Sequence, residues 1–230
     1  MLQLVIGNKN YSSWSMRPWV LMRQFEIPFD EIKLRFDRLT YSPDSAFYRA
    51  LAQYTPVAKV PVLLIDGFAV WDTLAIAEAL ADHHRDLALW PNDALQRARA
   101  RSLCAEMHAG FGALRSHCPM NIEAALPEVG VRVLAEQATV RDDLARIDAI
   151  WSEQLAASGG PFLFGAFGIA DAYYAPVVAR IRTYALPLSA PARAYSERVW
   201  ATPSVQAWVG DALAEKDYLD FEEPYRKSRD

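Results

Sequence analysis

Residues 60–73 read Val-Pro-Val-Leu-Leu-Ile-Asp-Gly-Phe-Ala-Val-Trp-Asp-Thr. Two apolar runs, Val62–Ile65 and Phe68–Trp71, flank an Asp-Gly pair. That pattern predicts a hairpin with a two-residue turn, because such a turn needs positive φ at its centre. Pro61 has no N–H for a sheet ladder, which fits a strand start or a cis turn. Asp72-Thr73 follow the second run at once and offer capping oxygens to a helix carrying Leu74, Ile76, Ala77 and Leu80.

Upstream, Leu2–Ile6 is a short apolar run ended by Gly7, consistent with a buried strand. Three hydroxyls, Ser12, Ser13 and Ser15, precede a segment that reads as helix from about residue 13 to 25. Pro18 does not forbid that helix, because the first four N–H groups have no internal partner and proline is tolerated in the first turn. Phe29, Ile32 and Leu34 suggest a second strand, which a helical crossover makes parallel to the first. The N-terminal order is therefore β-α-β, a long connection, then β-β-α.

Beyond residues 83–93 the strand signals stop. Residues 94–117 and 127–156 each read as one long helix, and Ser158-Gly159-Gly160-Pro161 breaks the pattern. Shorter helices are expected at Ile169–Tyr184, Ala190–Ala201 and residues 204–214. The polar tail carries Tyr218, Phe221 and Tyr225 as packing anchors. The expected division is an α/β domain over 1–82, a linker over 83–93 and an all-helical domain over 94–230.

Bulk composition narrows the function classes. The 230 residues are 52% hydrophobic with a net charge of −4, and Lys and Arg are scattered, so nucleic acid is not an expected partner. The most apolar stretch, residues 161–179, is interrupted by Gly165, Gly168 and Asp171, which argues against a membrane span. The start lacks a secretory pattern, so the expectation is a cytoplasmic protein with Cys104 and Cys118 reduced. His83, His84, His108 and His117 lack metal-site spacing with the cysteines, and no metal is expected. Taken alone, the serines and Asp72-Thr73 read most simply as helix caps, and Pro61 as a loop end.

Taken together they resemble the cytosolic glutathione transferases, most closely the zeta class. The zeta signature runs Ser-Ser-Cys-Ser-Trp-Arg, and Ser12-Ser13-Trp14-Ser15-Met16-Arg17 stands in its place. Thr55-Pro56, Val60-Pro61, Ile65-Asp66-Gly67 and Asp72-Thr73-Leu74-Ala75-Ile76 resemble the family's glutathione-binding segment, and Ala170-Asp171-Ala172 its buried C-domain helix start. The resemblance spans nearly the whole chain. It implies a thioredoxin-like domain of order β-α-β-α-β-β-α followed by an all-α domain, and a homodimer.

It also implies roles. The Val60 backbone, set by a cis Pro61, would pair with the cysteinyl backbone of glutathione. Asp72 and Thr73 would hold the γ-glutamyl end, and Lys59 a carboxylate. Ser12 or Ser13 would hydrogen-bond the sulfur, with Ser15 left as a cap. A free thiol with pKa about 8.5 is only roughly 3% thiolate at pH 7. Lowering it by about two units takes about 2.7 kcal/mol, within reach of a hydroxyl hydrogen bond plus a helix N-terminus. Trp14, His108, Phe111 and Arg115 would line the electrophile pocket, the last three at helical spacing on one face, where a histidine and an arginine suit an acidic substrate. Gly110 and Gly112 in that helix hint at close approach by another backbone or a ligand.

Departures are plain: Trp14 replaces the zeta cysteine, Asp72-Thr73 the usual Glu-Ser, and Gly168 a Ser or Thr cap. The implied activity is glutathione transfer to a small electrophile, with maleylacetoacetate-type cis-trans isomerisation as a candidate. The alternative is a non-catalytic module of the same fold that binds a protein or hydrophobic ligand. A thiol oxidoreductase would need a cysteine near the first helix start, and none is there.

Overall fold

Strands β1 (Leu2–Ile6), β2 (Asp30–Lys33), β3 (Val62–Ile65) and β4 (Phe68–Trp71) form one sheet in the order β2-β1-β3-β4. The computed structural model describes residues 1–38 and 40–229. β1 runs parallel to β2, with Val5 opposite Ile32, and antiparallel to β3, with Leu4 opposite Leu63. The parallel pair follows from the crossover through α1 (Ser13–Gln24), and the antiparallel β3–β4 pair from the Asp66-Gly67 turn. Both turn residues have positive φ, 50° and 85°, the conformation the Asp-Gly pair was expected to supply.

Strand periodicity divides the core in two. Leu4, Ile6 and Leu63 face α1 and α3 (Thr73–His83) through Met16, Trp19, Val20 and Ile76. Val5, Val62 and Leu64 point the other way, onto Phe47 and Leu51 of α2 (Ala46–Leu51). The N-terminal order is thus β-α-β-α-β-β-α, the thioredoxin-like arrangement.

Among the described residues seven helices follow: α4 (Ala94–Ala109), α5 (Gly112–His117), α6 (Pro127–Glu136), α7 (Ala138–Ser158), α8 (Ile169–Tyr184), α9 (Ala190–Ala201) and α10 (Pro203–Glu215). A 3-10 turn, Asp220–Glu222, lies in the tail. The sequence-based expectations fail at two joints. The helix expected over 94–117 breaks where Gly110 is extended and Phe111 turns left-handed at φ 55°. His108 and Arg115 therefore sit on different helices, and the single-face reading does not hold. A Cβ on Gly110 would come 2.7 Å from the Glu106 carbonyl oxygen of its own helix, whereas one on Gly112 would meet open space, so neither glycine marks close approach by a second backbone. The helix expected over 127–156 breaks at Gln137, with φ −113° and ψ 93°. The first-turn placement expected for Pro18 also fails: it is the sixth residue of α1 and has no N–H to give the Trp14 carbonyl, a missing bond the helix tolerates.

α8 is the central post of the helical half, buried along nearly its whole length and packed on α1, α4, α6 and α9. Its first turn is organised by buried Asp171, whose carboxylate accepts N–H bonds from Leu163 (3.1 Å) and Gly168 (2.9 Å) and the Tyr195 hydroxyl (2.9 Å). Gly168 returns no side-chain bond. A Cβ there would press within 3.0 Å of the Leu89 carbonyl oxygen, which accounts for glycine in place of a serine or threonine cap.

α1 lies between sheet and helical half. Trp19 meets Trp208 of α10 edge to face at 5.3 Å, and the buried Lys9 ammonium bridges Glu31 and Asp211 beside both rings. Among the described residues no helix is long and apolar enough to cross a membrane, and no His/Cys/Asp/Glu group is arranged to hold a metal.

Candidate active site

Two helices begin where strands or their following loops end, and both point their N-termini at one cleft. α3 starts directly after β4. Asp72, its N-cap, is held at φ 72°, an unusual conformation for a side chain other than glycine, and its Oδ1 accepts the Leu74 N–H at 2.9 Å. Thr73 is buried, and its Oγ1 accepts the Tyr173 hydroxyl of α8 at 2.8 Å. That bond leaves the Thr73 hydroxyl proton free to be donated, beside the unpaired N–H groups of a helix first turn.

α1 starts at the serines. Ser12 is the N-cap by backbone position, yet its side chain makes no capping bond. Instead its hydroxyl donates to Ser15 Oγ at 2.7 Å, and Ser15 Oγ accepts the Gly7 N–H at 3.2 Å. Ser15 is therefore fully buried and ties the end of β1 to α1; it does not serve as the cap the sequence suggested. Ser13 is half-buried, and its hydroxyl has no partner among the described residues.

The Val60-Pro61 peptide is cis, and the Val60 backbone makes no hydrogen bond among the described residues. Val60 joins two adjoining chambers. The larger, about 820 Å³, is lined by Lys59, Val60, Pro61, Asp72 and Thr73 on one side and by Trp14, His108 and Arg115 on the other. The smaller, about 470 Å³, contains Ser12 and Ser13, and Trp14, Phe36, Val60, Arg115 and Glu222 line both. Phe36 reaches this position because Gly7 has no side chain: a Cβ there would fall 2.1 Å from Phe36 Cζ.

The far wall is aromatic and basic. The His108 ring meets Trp14 edge to face at 5.0 Å, and its Nε2 lies 3.2 Å from Asp72 Oδ2. Arg115 Nη1 donates to the His108 carbonyl at 3.2 Å, closing the end of α4. Buried Arg17 stacks between Trp14 (4.1 Å) and Tyr173 (4.6 Å), with Nε and Nη1 unpaired. Burial lowers its guanidinium to about 10, against the opposing pull of Tyr173.

Ten of the eleven residues singled out from sequence line these chambers. Phe111 does not: its left-handed backbone turns the ring into the core. The sequence reading passed over Phe36, Trp71, Tyr173 and Glu222. Trp71 follows directly from the hairpin register, but Tyr173 and Glu222 arrive from distant segments and carry no local signal.

This geometry meets a consistent set of relatives. Residues 11–83 match the glutathione S-transferase N-terminal domain and residues 123–211 the glutathione S-transferase C-terminal domain. A probable maleylacetoacetate isomerase of Caenorhabditis elegans is 36% identical over 66 residues, which cover 29% of this chain and 31% of that protein. Among solved structures, a glutathione transferase homolog from Burkholderia with bound glutathione superposes with TM-score 0.69 at 22% identity, covering 93% of this chain and 98% of its own. A glutathione transferase from Methylococcus capsulatus gives 0.67 at 23% identity, covering 93% and 100%. A Tau class enzyme from mango gives 0.67 at 19% identity, covering 94% and 97%. The chain belongs to the glutathione S-transferase family.

Proposed function

We propose that this protein is a glutathione transferase that holds glutathione along the cleft from Thr73 to the serines and activates it as a thiolate. The observation that carries the reading is the convergence of three unfilled polar groups. They are the unpaired Val60 backbone, the α3 N-terminus with the free Thr73 proton, and the Ser13 hydroxyl at the α1 N-terminus. Asp72 and Thr73 take the γ-glutamyl end, Val60 the cysteinyl backbone and Lys59 a carboxylate. The engaged state of Ser12 favours Ser13 as the direct donor to sulfur; Ser12 serves only if its proton turns away from Ser15.

The electrophile then lies against Trp14, His108 and Arg115. A cis-trans isomerisation of the maleylacetoacetate type is supported by the partial likeness to the nematode protein and by the basic character of that wall. The chain is further proposed to divide at 1–82, 83–93 and 94–230 and to act as a homodimer, which light scattering on the purified protein tests.

Calorimetric titration with glutathione tests the binding reading. The wild type is expected to bind, and Asp72→Asn, which keeps the Leu74 cap but loses the charge, to bind about 10-fold to 100-fold more weakly, the loss of one charge-assisted hydrogen bond of about 1.5–3 kcal/mol. No heat with wild type would favour the non-catalytic alternative.

A further inference from the structure

The 3-10 turn near the end of the chain, Asp220–Glu222, brings a carboxyl into the cleft. Glu222 lines both chambers, beside Ser12, Ser13, Val60 and Arg115 in the smaller one. The tail that carries it is pinned on either side. The Tyr11 hydroxyl accepts the Leu219 N–H at 3.3 Å and donates to Glu223 Oε1 at 2.7 Å. Asn121 Nδ2 donates to both Glu223 oxygens at 2.9 Å, and Arg226 pairs with Glu223 and Glu123. None of these bonds uses Glu222 itself, and the two at Tyr11 run to the loop that leads into Ser12. The Glu222 carboxyl itself has no hydrogen bond or ion pair among the described residues.

We propose that Glu222 is the proton acceptor and donor for the bound thiol, a role that rests on the glutathione reading above. Its carboxylate takes the proton from the glutathione S–H, leaving a thiolate and a neutral carboxylic acid. The sulfur electron pair forms the C–S bond as the electrophile's double bond opens. The resulting carbanion or enolate takes the proton back from Glu222, which returns to carboxylate. In a substitution the proton leaves instead with the departing group. The thiol and carboxyl together carry one negative charge before and after transfer, so the serine hydroxyl and the α1 N-terminus stabilise a site whose net charge does not change.

The surroundings suit this. Arg115 faces the cavity from α5, Arg180 from α8, Arg38 from the segment after β2 and Tyr11 from the loop before α1, while His108 and Asp72 lie across the larger chamber. Glu223 is the neighbouring charge on the tail. Burial, reinforced by the negative charge of Glu223, pushes the Glu222 carboxyl up to about 7. A group of that value both takes and returns protons at neutral pH.

The test uses the full chain as wild type, Glu222→Gln and Glu222→Ala, with glutathione calorimetry and kcat/KM against pH for an activated α,β-unsaturated electrophile. Glutathione affinity is expected to be little changed in Glu222→Gln. Turnover at pH 7 should fall about 100-fold. The deficit should narrow as pH rises above about 7, where wild-type Glu222 no longer holds the proton it returns to the adduct. Added formate should restore part of the activity of Glu222→Ala. A Glu222→Gln rate and pH profile matching wild type overturns the proposal, as does a loss confined to glutathione affinity or one that formate does not relieve. Wild type that binds no glutathione removes the reading beneath it, an outcome the calorimetry identifies separately.

Discussion

Replacing Asp171 by alanine would strip the first turn of α8 of its organiser. Three donors point at that carboxylate, the N–H groups of Leu163 and Gly168 and the Tyr195 hydroxyl, in a region without solvent access. An orphaned buried donor costs about 1–3 kcal/mol, so three of them, partly relieved by an entering water, amount to about 4 kcal/mol. For a chain of this size the corresponding fall in Tm is about 8–16 °C. Asp171→Asn adds a pH signature. Burial raises the Asp171 carboxyl to about 6, over the opposing hydrogen bonds from Leu163 and Gly168. The folded state therefore binds this proton more tightly than the unfolded chain, where the value is about 3.9. The stability this proton brings is full below about pH 4 and is lost as pH rises through 6. A shift of about two units is worth about 2.8 kcal/mol. Urea unfolding of wild type, Asp171→Asn and Asp171→Ala at about pH 4.5, 6 and 7.5, which bracket the window, measures both effects. An alanine cost below about 1 kcal/mol, or an asparagine variant with the same pH slope as wild type, would refute the reasoning.

Two further substitutions probe the cleft from outside its chemistry. Tyr173→Phe removes the hydroxyl that holds Thr73 from α8, and should weaken glutathione binding about 5-fold to 10-fold in calorimetry while costing about 1 kcal/mol in a urea melt. Gly7→Ala drives a methyl into the Phe36 ring; a loss of about 1–3 kcal/mol is expected, with weaker glutathione binding because Phe36 lines both chambers, and an unchanged melt would contradict that packing.

What was legible in the sequence was what local rules determine. The Asp66-Gly67 turn announces its hairpin because few residue pairs accept two positive φ angles in a row. Ile169–Tyr184 and Ala190–Ala201 were read to the residue because glycine, proline and serine punctuate them. Ser12, Ser13, Asp72 and Thr73 stand out only through the order of motifs and the family resemblance, since each alone also reads as a helix cap, and the fold brings them to adjoining chambers. What escaped depends on tertiary contact. No propensity marks Phe111 as left-handed or Gln137 as a joint. Ser15 looks like a cap until β1 is folded beside it and offers the Gly7 N–H. Tyr173 meets Thr73 across 100 positions of chain, and Glu222 lines the chamber that holds the serines on a tail fastened by Tyr11, Asn121 and Glu223.

The claim on which the account turns is that the cleft ionises the thiol of glutathione through a serine at the start of α1. A pH titration of the thiolate absorbance of bound glutathione, in wild type, Ser12→Ala and Ser13→Ala, measures it directly. The account predicts a wild-type thiol about two units below its free value of about 8.5, a return toward that value in Ser13→Ala, and a smaller change in Ser12→Ala. A thiol that titrates at its free value in the wild type, or that keeps its lowered value in both alanine variants, would contradict it.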